Sequence, residues 1–313
     1  MKLVYPDYYE KFTCIAHDCR HTCCAGWEIE IDPKTLNDYL SMDGEIGARL
    51  RENIVTDEDG NAQFRLAEGE RCPFLNDRNL CELILTLGED HLCQICTDHP
   101  RFRNFFSDRT EIGLGLCCEA AAKLILSQKE RMHLCGEENE TLTQEESGLR
   151  SLRQALLDRM QERTECIPQR WRKLLSRICA EPEYRSPAQW AEVLSGLERM
   201  DEAWEERLKD LAQCPDFDLP FLAEPEFETA MEQLSCYFLY RHLAGALLDG
   251  DISARVCFCV FSAAVIGAMF RKACERGKGT LEELAEIARQ YSAEIEYSEE
   301  NLCAILDSFD ELL

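Results

Sequence analysis

Four cysteines in eleven residues, Cys14-Ile-Ala-His-Asp-Cys19-Arg-His-Thr-Cys23-Cys24, constrain what this chain can fold into more than any other feature. Six more follow before residue 119: Cys72, Cys81, Cys93, Cys96, Cys117 and Cys118. Thiols this dense oxidise and scavenge metals, and packing alone rarely calls for them. The first residues, MKLVYPDYYEKF, contain no apolar export core, so a cytoplasmic, reducing setting is expected. There, metal or redox chemistry precedes disulfides. The total of 19 cysteines is odd, which excludes complete intramolecular pairing.

The combined spacing C-x4-C-x3-C-C, then C-x8-C, then C-x2-C points to a thiolate-held metal centre, with reduced structural or redox thiols as the alternative. Zinc and iron–sulfur clusters both take four thiolates. Nine or ten thiols exceed one zinc site, which favours a [4Fe–4S] cluster, with zinc as the second reading. Cys19 and Cys23 fit the first gap of the radical-S-adenosylmethionine spacing C-x3-C-x2-C, but position 26 is glycine. That argues against conventional radical chemistry.

Around the cysteines the pattern is mixed. Trp27–Ile31 alternates like a half-buried strand. Asp32-Pro33 signals an N-cap with proline at the first helical position, opening a helix into the forties that continues or restarts over 45–53. Residues 63–66 read as a short strand. Asn76–Asn79 form a turn with a cysteine on each arm, Cys72 and Cys81. Gly113-Leu114-Gly115 lacks a nucleotide-loop context and reads as a turn. A helix follows from Glu119.

Beyond residue 130 the texture is helical. Thr143-x-x-Glu146, Ser186-x-x-Gln189 and Thr280-x-x-Glu283 are capping signals. The second opens a helix expected to reach about Leu211, and later helices are expected at 227–249, 252–276, 280–292 and 298–312. The apolar run Val256–Phe270 is too short for a confident membrane span and reads as a buried core helix. The cysteines from 135 onward read as small buried hydrophobes. The expected fold class is α+β, mostly α: a small cysteine-rich metal-binding lobe, residues 1–130, followed by an all-α helical lobe, residues 131–313.

The formal net charge of −26 opposes nucleic acid and anionic membrane and suits a basic or lysine-bearing protein partner. No P-loop, HExxH or GxSxG motif occurs.

The run Tyr9…Phe12-x-Cys14-x4-Cys19-x3-Cys23-Cys24-x-Gly26-Trp27, with Ile31-Asp32, resembles the flagellin lysine-N-methylase family. So do Cys72-Pro73-Phe74-Leu75…Leu80-Cys81, Gly88…Leu92-Cys93-x2-Cys96-x3-Pro100-Arg101 and Leu116-Cys117-x-Glu119-Ala120-Ala121. The resemblance covers roughly residues 5–126, and the helical lobe offers no residue-level match. It implies S-adenosylmethionine-dependent methylation of lysine ε-amines on flagellin, with an iron–sulfur cluster in the protein. Its cysteines fall at Cys14, Cys19, Cys23, Cys24, Cys72, Cys81, Cys93, Cys96 and Cys117, the candidate metal ligands. The reaction needs a group to accept the amine proton, for which Tyr5, Tyr9 and Asp32 are candidates. Trp27, His99 and Arg101 are candidates for the cofactor pocket. A non-enzymatic iron–sulfur or zinc module, redox or docking, is the alternative reading.

Overall fold

The computed structural model describes residues 2–57, 59–136, 142–178 and 185–310. The chain is mostly helical with a small sheet, and its contacts divide it into two units. One, the thiol unit, is Thr13–Arg101. The other, the helical unit, joins Met1–Phe12 to Phe102–Leu313.

Strand β1 (Lys2–Pro6) opens the helical unit. The thiol unit follows with α1 (Pro33–Ser41), α2 (Gly44–Asn53), β2 (Ile54–Thr56), β3 (Ala62–Phe64), α3 (Glu82–Leu87) and α4 (Gln94–Asp98). Asp32 caps α1 and Pro33 occupies its first turn, as the sequence implied. The alternation at Trp27–Ile31 is real, since Ile29 and Ile31 are buried. Yet the segment is no strand. β2 and β3 pair with each other, and only Glu30 bridges to Gln63. The core of this unit is small: Ile29, Ile31, Tyr39, Leu50, Phe64, Phe74 and Leu83, with the thiols Cys72 and Cys93.

Strand β4 (Arg101–Phe105) leads from the last residue of the thiol unit back into the helical unit, which continues with β5 (Arg109–Leu114), α5 (Glu119–Leu126) and β6 (Leu134–Gly136). The sheet order is β4-β5-β1-β6, with β1 parallel to β5 (Lys2↔Arg109) and antiparallel to β6 (Val4↔Gly136). A parallel pair needs a long crossover, and here the whole thiol unit lies within that connection. This pairing is why the first twelve residues go with the helical unit. All six residues of β5 are buried, so the strand shows no polar alternation in sequence. The expected Gly113-Leu114-Gly115 turn is therefore partly strand. A Cβ on Gly113 would come within 2.3 Å of the Phe102 ring, so glycine permits that packing.

Next come α6 (Gln144–Met160), α7 (Ile167–Ile178), α8 (Pro187–Ser195) and α9 (Trp204–Ala212). They are followed by α10 (Pro225–His242), α11 (Ala246–Asp249), α12 (Ile252–Glu275), α13 (Leu281–Tyr291) and α14 (Glu299–Asp310). The capping boxes at Thr143 and Ser186 are complete, and Thr280 accepts from the Glu283 N–H. The helix expected to reach Leu211 stops at Ser195, and Gly196 stands at the break before α9. Positions 311–312 of the expected last helix lie outside the described residues.

α12 is buried on all sides and packs on α7, α9, α10, α13 and α14. By length and composition it could cross a membrane, but 78% of its most apolar window is covered by the protein itself, as a core helix requires. Cys214, Cys236, Cys257 and Cys259 are buried as expected, whereas Cys135, Cys166 and Cys303 are exposed. Buried Glu232 on α10 is held by Arg163 at 2.9 Å and Arg170 at 2.7 Å.

Candidate functional site

Backbone pairing brings the thiol-bearing segments together. The Cys72 N–H donates to the Cys24 carbonyl at 2.8 Å, and Ala25 bridges Arg71. Asn76 Oδ1 takes the N–H groups of Arg78 and Leu80, closing the turn that sets Leu75 against Cys81. Cys81 stands at the N-cap of α3, and Cys93 at that of α4. One helical turn then places Cys93 and Cys96 Sγ 3.5 Å apart.

Five thiols thereby share one neighbourhood: Cys24, Cys72, Cys81, Cys93 and Cys96. Burial pushes Cys72 up to about 12, and Cys24, Cys81 and Cys93 add to the shift. Burial likewise raises Cys81, with Cys24 and Cys93 contributing. Cys96 is raised by its bond with Cys93 and then by burial, while that bond lowers Cys93. Cys24 is lowered to about 7, first by Cys23, with Thr22 and Arg71 assisting against burial. Ionising several such thiols in one place is costly unless a cation compensates. Among the described residues, no three His, Cys, Asp or Glu side chains stand close enough to grip a metal ion as they are. All of these cysteines are free.

The other cysteines of the unit lie nearer solvent. Cys14 and Cys23 are exposed, and Cys19 is half-buried with its thiol donating to the His21 carbonyl at 3.3 Å.

Asp32 and the residues proposed for the cofactor pocket frame α4. Asp32 accepts from the Thr35 N–H at 3.0 Å with one oxygen and from the Gln94 N–H at 2.9 Å with the other, so it caps α1 and α4 together. Burial pushes its carboxyl up, but these donors overcome that and hold it below the usual range. At the opposite end of α4, Arg101 Nη1 donates to the carbonyls of Thr97 and His99. Trp27 Nε1 donates to the Cys23 carbonyl at 2.8 Å, and its ring lies 6.3 Å from that of His99. Burial, with Arg101 assisting, depresses His99 to about 4, so the ring is neutral at pH 7.

Cys117 and the two tyrosines belong to the helical unit. Tyr5 donates to Glu10 at 3.0 Å and its ring lies 5.4 Å from that of Tyr9. Cys117 sits beside Tyr297 and Arg241, pushed up to about 12 by burial. A Cβ on Gly115 would come within 2.2 Å of the Tyr297 hydroxyl, so glycine allows that ring to close over the chain. Arg241 lies 5.1 Å from the Phe102 ring and 4.9 Å from that of Tyr297. It donates at 2.7 Å to the Tyr237 hydroxyl, which in turn donates to Glu296 at 2.9 Å. His242 Nε2 also meets Glu296, at 2.5 Å. Burial opposes ionisation of Glu296, but Arg241 and His242 lower its pKa. Glu296 ends a π-helical turn, Ser292–Glu296, a feature frequent at functional sites. Nothing in the sequence signalled this cluster, because α10 and the C-terminal segment supply it far from any cysteine motif.

A lysine-N-methylase of Salmonella typhimurium is 29% identical over 134 residues, covering 41% of this chain and 33% of that protein. A flagellar biosynthetic protein FliU of Salmonella muenchen is 29% identical over 134 residues, 41% of this chain and 79% of that protein. The match thus spans about a third of the lysine-N-methylase. No solved structure matches. The sequence model described as the FliB lysine N-methylase C-terminal domain matches residues 103–313, two-thirds of the chain and almost wholly the part where motif reading found no resemblance. This chain belongs to the flagellin lysine-N-methylase family.

Proposed function

We propose that the chain is a protein-lysine N-methyltransferase, using S-adenosylmethionine on a lysine-bearing protein such as flagellin, and that its thiol unit holds a metal centre. The observation that carries the reading is the convergence of Cys24, Cys72, Cys81, Cys93 and Cys96 in a chain of this family. These thiols fit the donor set of a [4Fe–4S] cluster, with zinc the alternative. The 3.5 Å Cys93–Cys96 spacing is close to the ~3.8 Å edge of a tetrahedron around one metal with metal–sulfur bonds near 2.3 Å, which suits the zinc alternative. A [4Fe–4S] cluster, with one thiolate on each iron, would need this pair to move apart. The bound centre supplies a structural pin for a lobe with a small core. Cys117 lies in the helical unit, beside Tyr297 and Arg241.

The donor carries an electrophilic methyl group. The chain must present a neutral lysine amine to it, and removing that amine from water lowers its pKa. Asp32 already commits both oxygens to backbone N–H groups, so it frames α4 and does not act as the base. The polyanionic surface draws a basic substrate. Incubation with labelled donor and flagellin tests the activity, and no transfer with the centre intact would refute it. An anaerobic spectrum with iron, sulfide and zinc analysis identifies the metal. A broad band near 400 nm is expected for the cluster.

A further inference from the structure

Nine buried side-chain polar atoms lack a hydrogen-bond partner among the described residues, and six of them fall on four consecutive positions. They are Asp108 Oδ1 and Oδ2, Arg109 Nε and Nη2, Thr110 Oγ1 and Glu111 Oε2. Glu111 is the least exceptional, because the Arg153 guanidinium forks it at 2.6 Å on each oxygen. Asp108 and Arg109 have no such relief. Arg109 Nε lies 3.8 Å from Asp108 and 3.7 Å from Glu111, too far for hydrogen bonds. Their side chains are only 4% and 2% exposed. Native proteins seldom leave buried charges in this condition, and each case calls for a reason.

The orphaned atoms are of both kinds. Asp108 offers only acceptors and Arg109 only donors. A cation would satisfy the first and oppose the second, and an anion the reverse. A group bearing an ammonium and a carboxylate on neighbouring atoms satisfies both and adds no net charge to a patch already balanced by two acids and two arginines. The Phe106 ring, 5.8 Å from the Arg109 guanidinium, supplies an apolar wall. The patch lies at the β4–β5 turn. That turn is closed by the Phe106 N–H to the Arg109 carbonyl and tied to α6 by the Ser107 N–H to Glu146 at 2.7 Å. Ser107 is exposed, giving a short path to solvent.

We propose that this turn and the start of β5 bind an α-amino-acid head group, that of the methyl donor. Asp108 accepts from its ammonium, Arg109 donates to its carboxylate, and the Thr110 hydroxyl serves either. The identity of the donor rests on the function proposed above, but the head-group site stands apart from it.

Titration calorimetry on the intact, metal-loaded protein tests this with three probes: L-methionine, S-adenosylhomocysteine and 5′-methylthioadenosine, which lacks the amino-acid group. The first two are expected to bind and the third to bind far more weakly. Asp108→Asn and Thr110→Val, each with its melting temperature checked, should weaken the binding of both zwitterions. About tenfold to a hundredfold is expected for Asp108→Asn, as for loss of a charged hydrogen bond. Methionine binding without S-adenosylhomocysteine binding would keep the site and refute the donor. No zwitterion binding to the unmodified protein would overturn the site. So would unchanged affinity in a folded Asp108→Asn, and internal water would then account for the orphaned atoms.

Discussion

The two units solve the same problem of stability by opposite means. The helical unit buries an extensive apolar core around α12 and caps its helices at Thr143, Ser186, Asp251 and Thr280. The thiol unit buries nine core residues, two of them cysteines, and its α3 and α4 have only six and five residues. Helices that short are not stable by themselves, and a core that small usually needs a staple. In the helical unit thiols such as Cys236 and Cys259 serve as small core residues, whereas in the thiol unit the converging thiols would supply the proposed staple. The helical unit closes buried charges in pairs such as Glu296 with Arg241, with the Asp108–Arg109 turn as the exception. The thiol unit instead gathers ionisable thiols, which the proposed metal would compensate.

The sharpest way to break this contrast is to remove the metal proposed for the thiol unit. Structural thiolate zinc contributes roughly 10–16 kcal/mol of apparent folding energy at neutral pH. Anaerobic chelation, or Cys96→Ala, should leave Thr13–Arg101 open to limited proteolysis while the helical unit keeps its circular dichroism and melting. Cys135→Ser, at an exposed position, should change neither. Equal loss of both units on chelation would show that the staple serves the whole chain.

The second test strikes the helical unit instead. Glu296 is fully buried among Arg241, His242 and Tyr237. Glu296→Ala leaves a buried arginine without its counter-ion, a loss of about 3–5 kcal/mol. The melting of the helical unit should fall by that amount with metal content unchanged. Concurrent metal loss would mean that the cluster near Cys117 also supports the centre.

How much of this was legible in sequence followed the same division. The Asp32 cap, the three capping signals and the buried run of α12 rest on local rules, and the structure carries them. The parallel β1–β5 pair was not legible, because its partners lie more than a hundred residues apart and β5 is buried throughout. Asp32, Trp27, His99 and Arg101 were recognisable as special residues, yet their role around α4 depends on contacts between segments that no spacing rule reports. The Glu296 cluster and the orphaned atoms at Asp108–Arg109 gave no signal. Each is made special by burial, and the residues themselves are ordinary in composition.

A third, smaller effect is expected at Asp32. Its two oxygens cap two helices, and caps lost to alanine cost about 0.5–2 kcal/mol each. Asp32→Ala should lower the stability of the thiol unit by about 1–4 kcal/mol and quicken metal release to a competing chelator. The melting of the helical unit should not change. If Asp32 were the proton acceptor, the same variant would abolish methyl transfer while leaving chelator resistance intact. The two readings therefore separate in one preparation.

The smallest effect is a pH dependence confined to the thiol unit. His99 has a folded pKa depressed to about 4 from an ordinary value of 6.5. A base depressed in this way is neutral in the fold, and acid favours the unfolded chain, which takes up the proton first. The stability linked to His99 is thus fully present above pH 6.5 and is lost as pH falls from 6.5 towards 4. The ceiling is on the order of 3 kcal/mol, and partial exposure reduces it. Melting of the thiol unit should drop across this window, and His99→Gln should flatten the drop. Thiolate protonation releases metal in acid as well, so the experiment belongs in the metal-free protein if that retains a transition, and otherwise at saturating metal. A pH slope unchanged by His99→Gln would place the acid sensitivity wholly with the thiols. The neutral ring beside Trp27 would then be a packing element without electrostatic consequence.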